Sequence, residues 1–458
     1  MAPSKSRQPI QLSLFETEFY EAAKESNGSA FSDPAFAGNK SLPIHRWVPW
    51  IAGFSGDFVA DLIRKNLGHK GVVLDPFAGV GTTLVEAVLN GHKAIGFEIN
   101  PYAALACRAK LYAFHVSVET LRSEMEKLAS FLAEKLSSNE TPQSIVPKGF
   151  QTRSPFYSPR VLRKVLFLQD FINAIRNPGI QGLFRLAFAS TMVRYSNYSY
   201  EPSLGRRKSA GKDDIRDFPV VREIVQKLEE MAEDITWYQG TISKAQMPEA
   251  QVIHESFFQY RSFLPPSSVD LVITSPPYLN NYHYNRNTRP QLYWLGYVQH
   301  PKDLKPLEHA NFGKYWQTVR DQPNITLKFS LPGSDLEERL KTIREQNPEK
   351  GIYGGRGWAN YAAAYFNDCY DFAEALDHLL TPGGKAFVVI GNSILQGVLI
   401  PTDQYFGEIV EAVGLEVVRI EIPRATRVGN SIIQSDVRVA KAKGWHRLYE
   451  AVVEVRKA

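Results

Sequence analysis

Residues 71–99 read GVVLDPFAGVGTTLVEAVLNGHKAIGFEI, and this stretch limits the fold more tightly than any other. GVVLDPF has the pattern of a short buried strand. TTLVEAVLNGH has helical spacing and stops at Gly91, and KAIGFEI is a second strand. Between the first strand and the helix lie Asp75, Pro76, Phe77, Ala78, Gly79, Val80, Gly81, Thr82 and Thr83. Gly79 and Gly81 allow a tight turn and close backbone approach to a ligand, while the helix that follows offers free N–H groups. Strand, glycine turn, helix and strand in that order open a doubly wound domain on a parallel sheet. Glu98 ends the second strand, about 20 residues past the turn, where a carboxylate can hold the two hydroxyls of a ribose. The turn is not a G-x-G-x-x-G fingerprint and carries no P-loop Lys-Ser/Thr pair, so neither NAD nor ATP is favoured. Taken alone, it is also compatible with a glycine turn that binds nothing.

The remainder of the chain alternates less regularly. Residues 1–40, rich in Ser, Pro, Asn and Ala, read as a mobile arm. Residues 41–111 are α/β, with helical spacing at 56–67. Long helical periods then fill 112–248, together with a basic loop, SLGRRKSAGKDDIR. Strands resume at AQVIHES and VDLVITSPPY, and 285–360 is irregular and rich in aromatic, Asn, Gly and Pro residues. A helix (YFNDCYDFAEALDHLL), a Pro-Gly-Gly turn and a strand (KAFVVIGNS) follow, then a helix near 403–413 and two closing strands that suggest an antiparallel edge. No apolar run reaches the roughly 18–20 residues of a membrane helix, and the first residues lack a signal-peptide core. The two cysteines, Cys107 and Cys369, suit neither a disulfide framework nor a metal cluster. The expectation is a cytoplasmic protein with no membrane association and no metal. A net charge of +5 permits nucleic acid as a partner without requiring it.

The second constraint is the corner Thr274-Ser275-Pro276-Pro277-Tyr278, where a buried strand ends in two prolines that forbid both helix and regular strand. Alone, it is also compatible with a strand-terminating corner. Together, the DPFAGVGTT turn, the GFEINP strand end and the TSPPY corner resemble the S-adenosylmethionine-dependent amino-methyltransferases that modify DNA. The serine form of the corner is most often seen in the cytosine-N4 enzymes and is shared by some adenine-N6 enzymes. The resemblance covers roughly 41–111 and 249–458. It implies an α/β, Rossmann-like methyltransferase fold, with a mostly parallel sheet, an antiparallel C-terminal strand pair and a large helical insertion.

The resemblance also implies roles. S-adenosylmethionine is the cofactor, held by Asp75, Phe77, Ala78, Gly79, Gly81, Thr82, Thr83, Glu98, Ile99, Glu255 and Thr274. Glu255 stands near the cofactor adenine, although His254-Glu255-Ser256 replaces the more usual Gly-Asp pair. Trp47 and Phe54, upstream of the turn, are either part of the cofactor site or core aromatics. Ser275 Oγ and the Pro276 carbonyl, aimed by Pro277, face the protons of an exocyclic amine, and Tyr278 stacks on a flipped base. No His/Cys/Glu zinc signature is present, which argues against a deaminase, and no Pro-Cys dipeptide, which argues against ring-carbon methylation through a cysteine. Double-stranded DNA is the expected partner, gripped by Arg206, Arg207, Lys208, Arg424 and Arg427, with Asn281 and Tyr282 near the base; solvated charged loops explain the basic groups equally well. Either 112–248 or 285–360 reads the DNA sequence. A cognate restriction endonuclease completes a restriction–modification pair in a prokaryotic host. Gln11-Leu12-Ser13-Leu14-Phe15 resembles the segment by which bacterial replication and repair proteins dock on the sliding clamp; an apolar patch folded onto the body is the simpler reading. An adenine-N6 enzyme, an RNA methyltransferase and a silent DNA-binding module are the alternatives.

Overall fold

The computed structural model describes residues 29–50, 53–200, 204–242, 247–279, 284–426 and 448–458. Helix α1 (Gly56–Asn66) precedes β1 (Val72–Asp75), α2 (Thr82–Leu89), β2 (Lys93–Phe97) and α3 (Pro101–Tyr112). Four longer elements follow: α4 (Val118–Ser137), α5 (Pro159–Ala174), α6 (Pro178–Thr191) and, after a hairpin of β3 (Tyr198–Tyr200) and β4 (Leu204–Arg206), α7 (Val220–Thr241). The chain then returns to the sheet with β5 (Ala250–Ile253) and β6 (Val269–Thr274). Short helical pieces, α8 (Arg289–Trp294) among them, lead to α9 (Leu336–Arg344), α10 (Gly355–Leu379) and β7 (Leu380–Gly391). A small hairpin of β8 (Ser393–Leu395) and β9 (Val398–Ile400), helix α11 (Thr402–Ala412), β10 (Glu416–Thr426) and β11 (Leu448–Arg456) complete it.

Seven strands form one sheet in the order β10-β11-β7-β6-β1-β2-β5. The pairs from β7 through β5 are parallel, and β11 runs antiparallel to both of its neighbours. The expected antiparallel strand pair therefore contains a single reversed strand, since β10 points the same way as the rest. From β1 the chain builds outward through β2 to β5, then crosses back to place β6 on the other side of β1. The carboxyl ends of β1 and β6 thus flank the point where strand order reverses, which is where open α/β sheets bind ligands.

Alternation along the strands sorts side chains into two cores. Val73, Leu271, Ile273, Phe387, Val389 and Val452 face a core shared with α1 to α7. Leu74, Val272, Ala386, Val388, Ile390, Val453 and Val455 face a second core built with α9, α10 and α11. The helices of 118–241 therefore extend the hydrophobic layer on one face of the sheet. A buried carboxylate on α7 secures them: Asp234 accepts from the Ile44 N–H (2.8 Å), the Trp47 indole N–H (2.9 Å) and two Arg46 nitrogens (2.6 and 3.1 Å). Ile44 sits at φ +65°, a costly conformation for a β-branched residue, and its bonded N–H helps hold it there.

One expected turn is absent. Pro382, Gly383 and Gly384 lie within β7, which starts directly at the end of α10. Gly383 takes φ +78°, and its N–H and the Gly384 carbonyl pair with Lys457 (2.9 and 3.0 Å), so backbone bonding carries the strand through a locally irregular register. Among the described residues, no helix is long and apolar enough to cross a membrane.

Candidate active site

Beyond β1 the backbone turns through Gly79 at φ +52° and Gly81 at φ +84°, both in the left-handed region that excludes most side chains. Space demands glycine as well. A Cβ at Gly79 would lie 3.2 Å from the Trp50 indole nitrogen, and one at Gly81 would lie 3.1 Å from Cys107 Sγ and 3.3 Å from its Cα. The Cys107 thiol in turn donates to the Gly79 carbonyl (3.1 Å), which fixes the turn against α3.

Beneath the turn, Asp75 is fully buried. Its Oδ1 accepts from the Phe77 N–H (3.1 Å) and from the Thr274 hydroxyl (2.6 Å), while Oδ2 has no partner among the described residues. Burial pushes this carboxyl up to about 6, against the lowering effect of the Thr274 bond. The Thr83 hydroxyl donates to the Ile273 carbonyl (3.1 Å), so the end of β6 is joined both to the end of β1 and to the first turn of α2.

The corner itself is held from three sides. The Ser275 hydroxyl donates to Tyr278 Oη (3.3 Å), which donates to Glu450 Oε1 on β11 (3.2 Å). Tyr365 of α10 donates to the Pro277 carbonyl (3.1 Å), and the Ser393 hydroxyl to that of Leu279. One side of the Tyr278 ring rests on Gly391, where a Cβ would come within 2.9 Å.

A cleft connects the turn and the corner. Phe77, Ala78, Gly79, Thr82, Glu98, Ile99, Glu255, Ser275 and Pro277 all line it. Asp75, Gly81, Thr83 and Thr274 stand behind its wall as the bracing just described. At one end Phe77 packs edge-on against Phe257 and Phe312, with ring centroids 5.9 and 5.0 Å away, forming an apolar slot. Glu98 accepts from the Asn100 N–H (2.6 Å), and burial, with Asp75 nearby, pushes its carboxyl up to about 8. A half-buried acid of this kind, lining an open cleft, suits a ligand that brings hydroxyl donors. Trp47 belongs to the core through its bond to Asp234, whereas Phe54 lines the cleft.

Arg206, Arg207 and Lys208 end the β3–β4 hairpin. Arg207 Nε donates to the Asp213 carbonyl (2.9 Å), and Lys208 pairs with Asp214 (2.8 Å). The hairpin docks beside the cleft, since Tyr200 donates to the Asn287 carbonyl (2.8 Å), two residues past cleft-lining Asn285. Asn281, Tyr282, Arg427 and the Gln11–Phe15 segment lie outside the described residues, and Arg424 is described only as part of the β10 backbone. Sequence reasoning missed Trp50, Asn100, Asn285 and Glu450. For Asn100 a local signal existed, an Asn-Pro pair at a helix start, where its side chain accepts from the N–H groups of Tyr102 and Ala103 (3.0 and 3.4 Å).

This sheet order, with one reversed strand and a carboxylate-ended cleft at the switch point, is that of a Rossmann-like methyltransferase. A family model described as DNA methylase, the N6/N4 methyltransferases, matches residues 38–107. The Type II methyltransferase M.BsoBI of Geobacillus stearothermophilus is 24% identical over 87% of this chain and 83% of its own. The Type II methyltransferase M.AvaI of Nostoc sp. is 23% identical over 87% and 84%. Among solved structures, the rRNA methyltransferase aviRa from Streptomyces viridochromogenes aligns over 92% of this chain and 93% of its own, at 10% identity and a TM-score of 0.28, too remote to carry weight. The chain is thus similar to the DNA amino-methyltransferases at the glycine turn and to Type II methyltransferases over most of its length, and this likeness implies S-adenosylmethionine as the methyl donor.

Replacing Thr274 with valine keeps the shape of the β6 end and removes the donor to Asp75. Urea denaturation should show a loss of about 1–3 kcal/mol, the cost of leaving a buried acceptor short of a partner.

Proposed function

We propose that this chain is the modification enzyme of a Type II restriction–modification pair and transfers a methyl group to the N4 amine of cytosine in duplex DNA. One observation carries the reading: Glu98 and Ser275 line the same cleft, and the Asp75–Thr274 bond holds the glycine turn and the corner together beside it. The relatives named Type II methyltransferases support the restriction–modification setting, with a cognate endonuclease as partner. The serine at the head of the corner supports cytosine over adenine.

The cleft fits S-adenosylmethionine. Two glycines leave the turn open, Glu98 is a half-buried carboxylate at the cleft wall, and the slot at Phe77, Phe257 and Phe312 suits a flat ring. Glu98 would take the ribose hydroxyls, and Glu255 would stand by the adenine. When bound, this group supplies a methyl already activated on a sulfonium, so the protein has only to present the amine lone pair.

Ser275 is arranged for that task. Its own proton points to Tyr278, which leaves the Oγ lone pairs to accept from one amine proton, while the Pro276 carbonyl accepts the other. Two acceptors on the amine free its lone pair from ring conjugation, and fixed positioning does most of the catalytic work. The donors from Ser275 through Tyr278 to Glu450 form a relay ending on a carboxylate, along which a surplus proton at Ser275 Oγ can leave. The Tyr278 face away from Gly391 supplies the stacking a flipped base loses, worth a few kcal/mol. Arg206, Arg207 and Lys208, beside the cleft, would grip phosphates.

Incubation with duplex DNA and labelled S-adenosylmethionine, followed by mass spectrometry of the nucleosides, should yield N4-methylcytosine. N6-methyladenine alone would reassign the base, and label on RNA alone would reject DNA as substrate. Ser275→Ala should cut turnover at least tenfold and leave cofactor affinity within about threefold, whereas Gly79→Val should abolish cofactor binding; equal losses of affinity in both would sink these roles. Cofactor affinity should rise with pH and level off above about 8, because Glu98 accepts ribose hydroxyls best when ionised and burial holds its carboxyl near that value. Calorimetry across pH 6–9 checks this, and Glu98→Gln should flatten the profile.

A further inference from the structure

Asn285 is buried, lines the cleft that holds Glu98 and Ser275, and carries a side-chain nitrogen with no partner among the described residues. An amide N–H₂ left unpaired in a buried wall costs about 1–3 kcal/mol, so its retention in a ligand cleft calls for a function.

The direction of that amide follows from its neighbours. Asn100 Oδ1 is committed to the first N–H groups of α3, those of Tyr102 and Ala103. Its Nδ2 must therefore point the other way, where it donates to Thr288 Oγ1 (2.8 Å) and to Asn285 Oδ1 (3.4 Å). A donor cannot face another donor, so the oxygen of Asn285 turns to Asn100 and its N–H₂ turns away from it. The backbone of Asn100 meanwhile holds Glu98 (2.6 Å). One residue thus positions both the cofactor carboxylate and the free amide.

We infer that Asn285 Nδ2 reads the target base by donating to the ring nitrogen beside the methylated amine. This rests on the methyltransferase reading above and adds a base-recognition residue to it. Cytosine and adenine share an exocyclic amine next to an acceptor nitrogen, N3 or N1, on their Watson–Crick edges. With Ser275 accepting from the amine, an amide donor in the same cleft matches that edge and rejects thymine and guanine, which present an N–H there. Donation to the ring draws electron density from the amine, so the gain is in recognition and orientation. Asn100 acts as a positioning residue.

The test pairs Asn285→Ala with base analogues in duplexes carrying the site mapped from methylated host DNA. Target cytosine is replaced by 3-deazacytosine, or target adenine by 1-deazaadenine, which removes only the ring acceptor. Asn285→Ala should lower kcat/KM on the normal duplex about 10- to 100-fold, as expected for a buried hydrogen bond left unmade. The deaza penalty should be at least about tenfold smaller in the variant than in the wild type, the signature of a direct contact. Equal penalties in both proteins overturn the assignment, as does a wild type that methylates the deaza duplex within threefold of the normal one, a result independent of how the variant folds. A tenfold loss of S-adenosylmethionine affinity in a variant with an unchanged melting curve would give the amide to the cofactor instead. A wild type that methylates no DNA at all removes the methyltransferase reading itself, a different outcome from any of these.

Discussion

The Thr274 hydroxyl and the Asp75 carboxylate, 2.6 Å apart and 199 residues apart in sequence, join the two loops on which the site is built. A buried carboxylate is costly unless its oxygens are bonded, so Asp75 holds Thr274 to a fixed position and the corner cannot drift without stranding a charge. The sheet makes the bond possible. Parallel pairing of Val73 with Leu271 and Leu74 with Val272 brings the ends of β1 and β6 level. Thr83, bonded to the Ile273 carbonyl, adds the start of α2 to the same knot. The glycine turn therefore bends over a rigid floor, and Ser275 leaves that floor one residue past the bond.

Two further polar hubs extend this rigidity. Asn100 connects the end of β2 with the segment after the corner, and Asp234 ties 44–47 to α7. Both are buried side chains serving several partners, so each fixes a geometry that apolar packing alone leaves free to slide. Through Asp234 and the shared core, helices far away in sequence become part of the wall behind the cleft. The β3–β4 hairpin, bonded to Asn287, brings basic residues to the same end of the molecule.

Much of this was legible because it depends on backbone conformation. Gly79 and Gly81 announce positive φ, Glu98 ends a strand at a familiar spacing from them, and two prolines announce a corner. The Pro-Gly-Gly segment misled because a glycine at φ +78° usually marks a turn, whereas pairing with Lys457 keeps this one in a strand. The single reversed strand was partly legible, since two consecutive strands at the end imply one antiparallel pairing but do not say which of them turns. Trp50, Asn285 and Glu450 carried no local signal. Each is an ordinary residue type whose importance arises from a neighbour supplied by another part of the chain.

By itself, the sequence determined the class of fold, the glycine turn, the carboxylate at the end of the second strand and the stiff corner, because each is written in a few adjacent residues. Tertiary structure alone decided that Asp75 braces while Glu98 lines the cleft, that the Ser275 hydroxyl donates to Tyr278, and that the Asn285 oxygen faces Asn100. Those outcomes depend on which donor meets which acceptor once distant strands lie side by side. Hydrogen-bond direction is a property of that assembled neighbourhood, and no residue carries it alone.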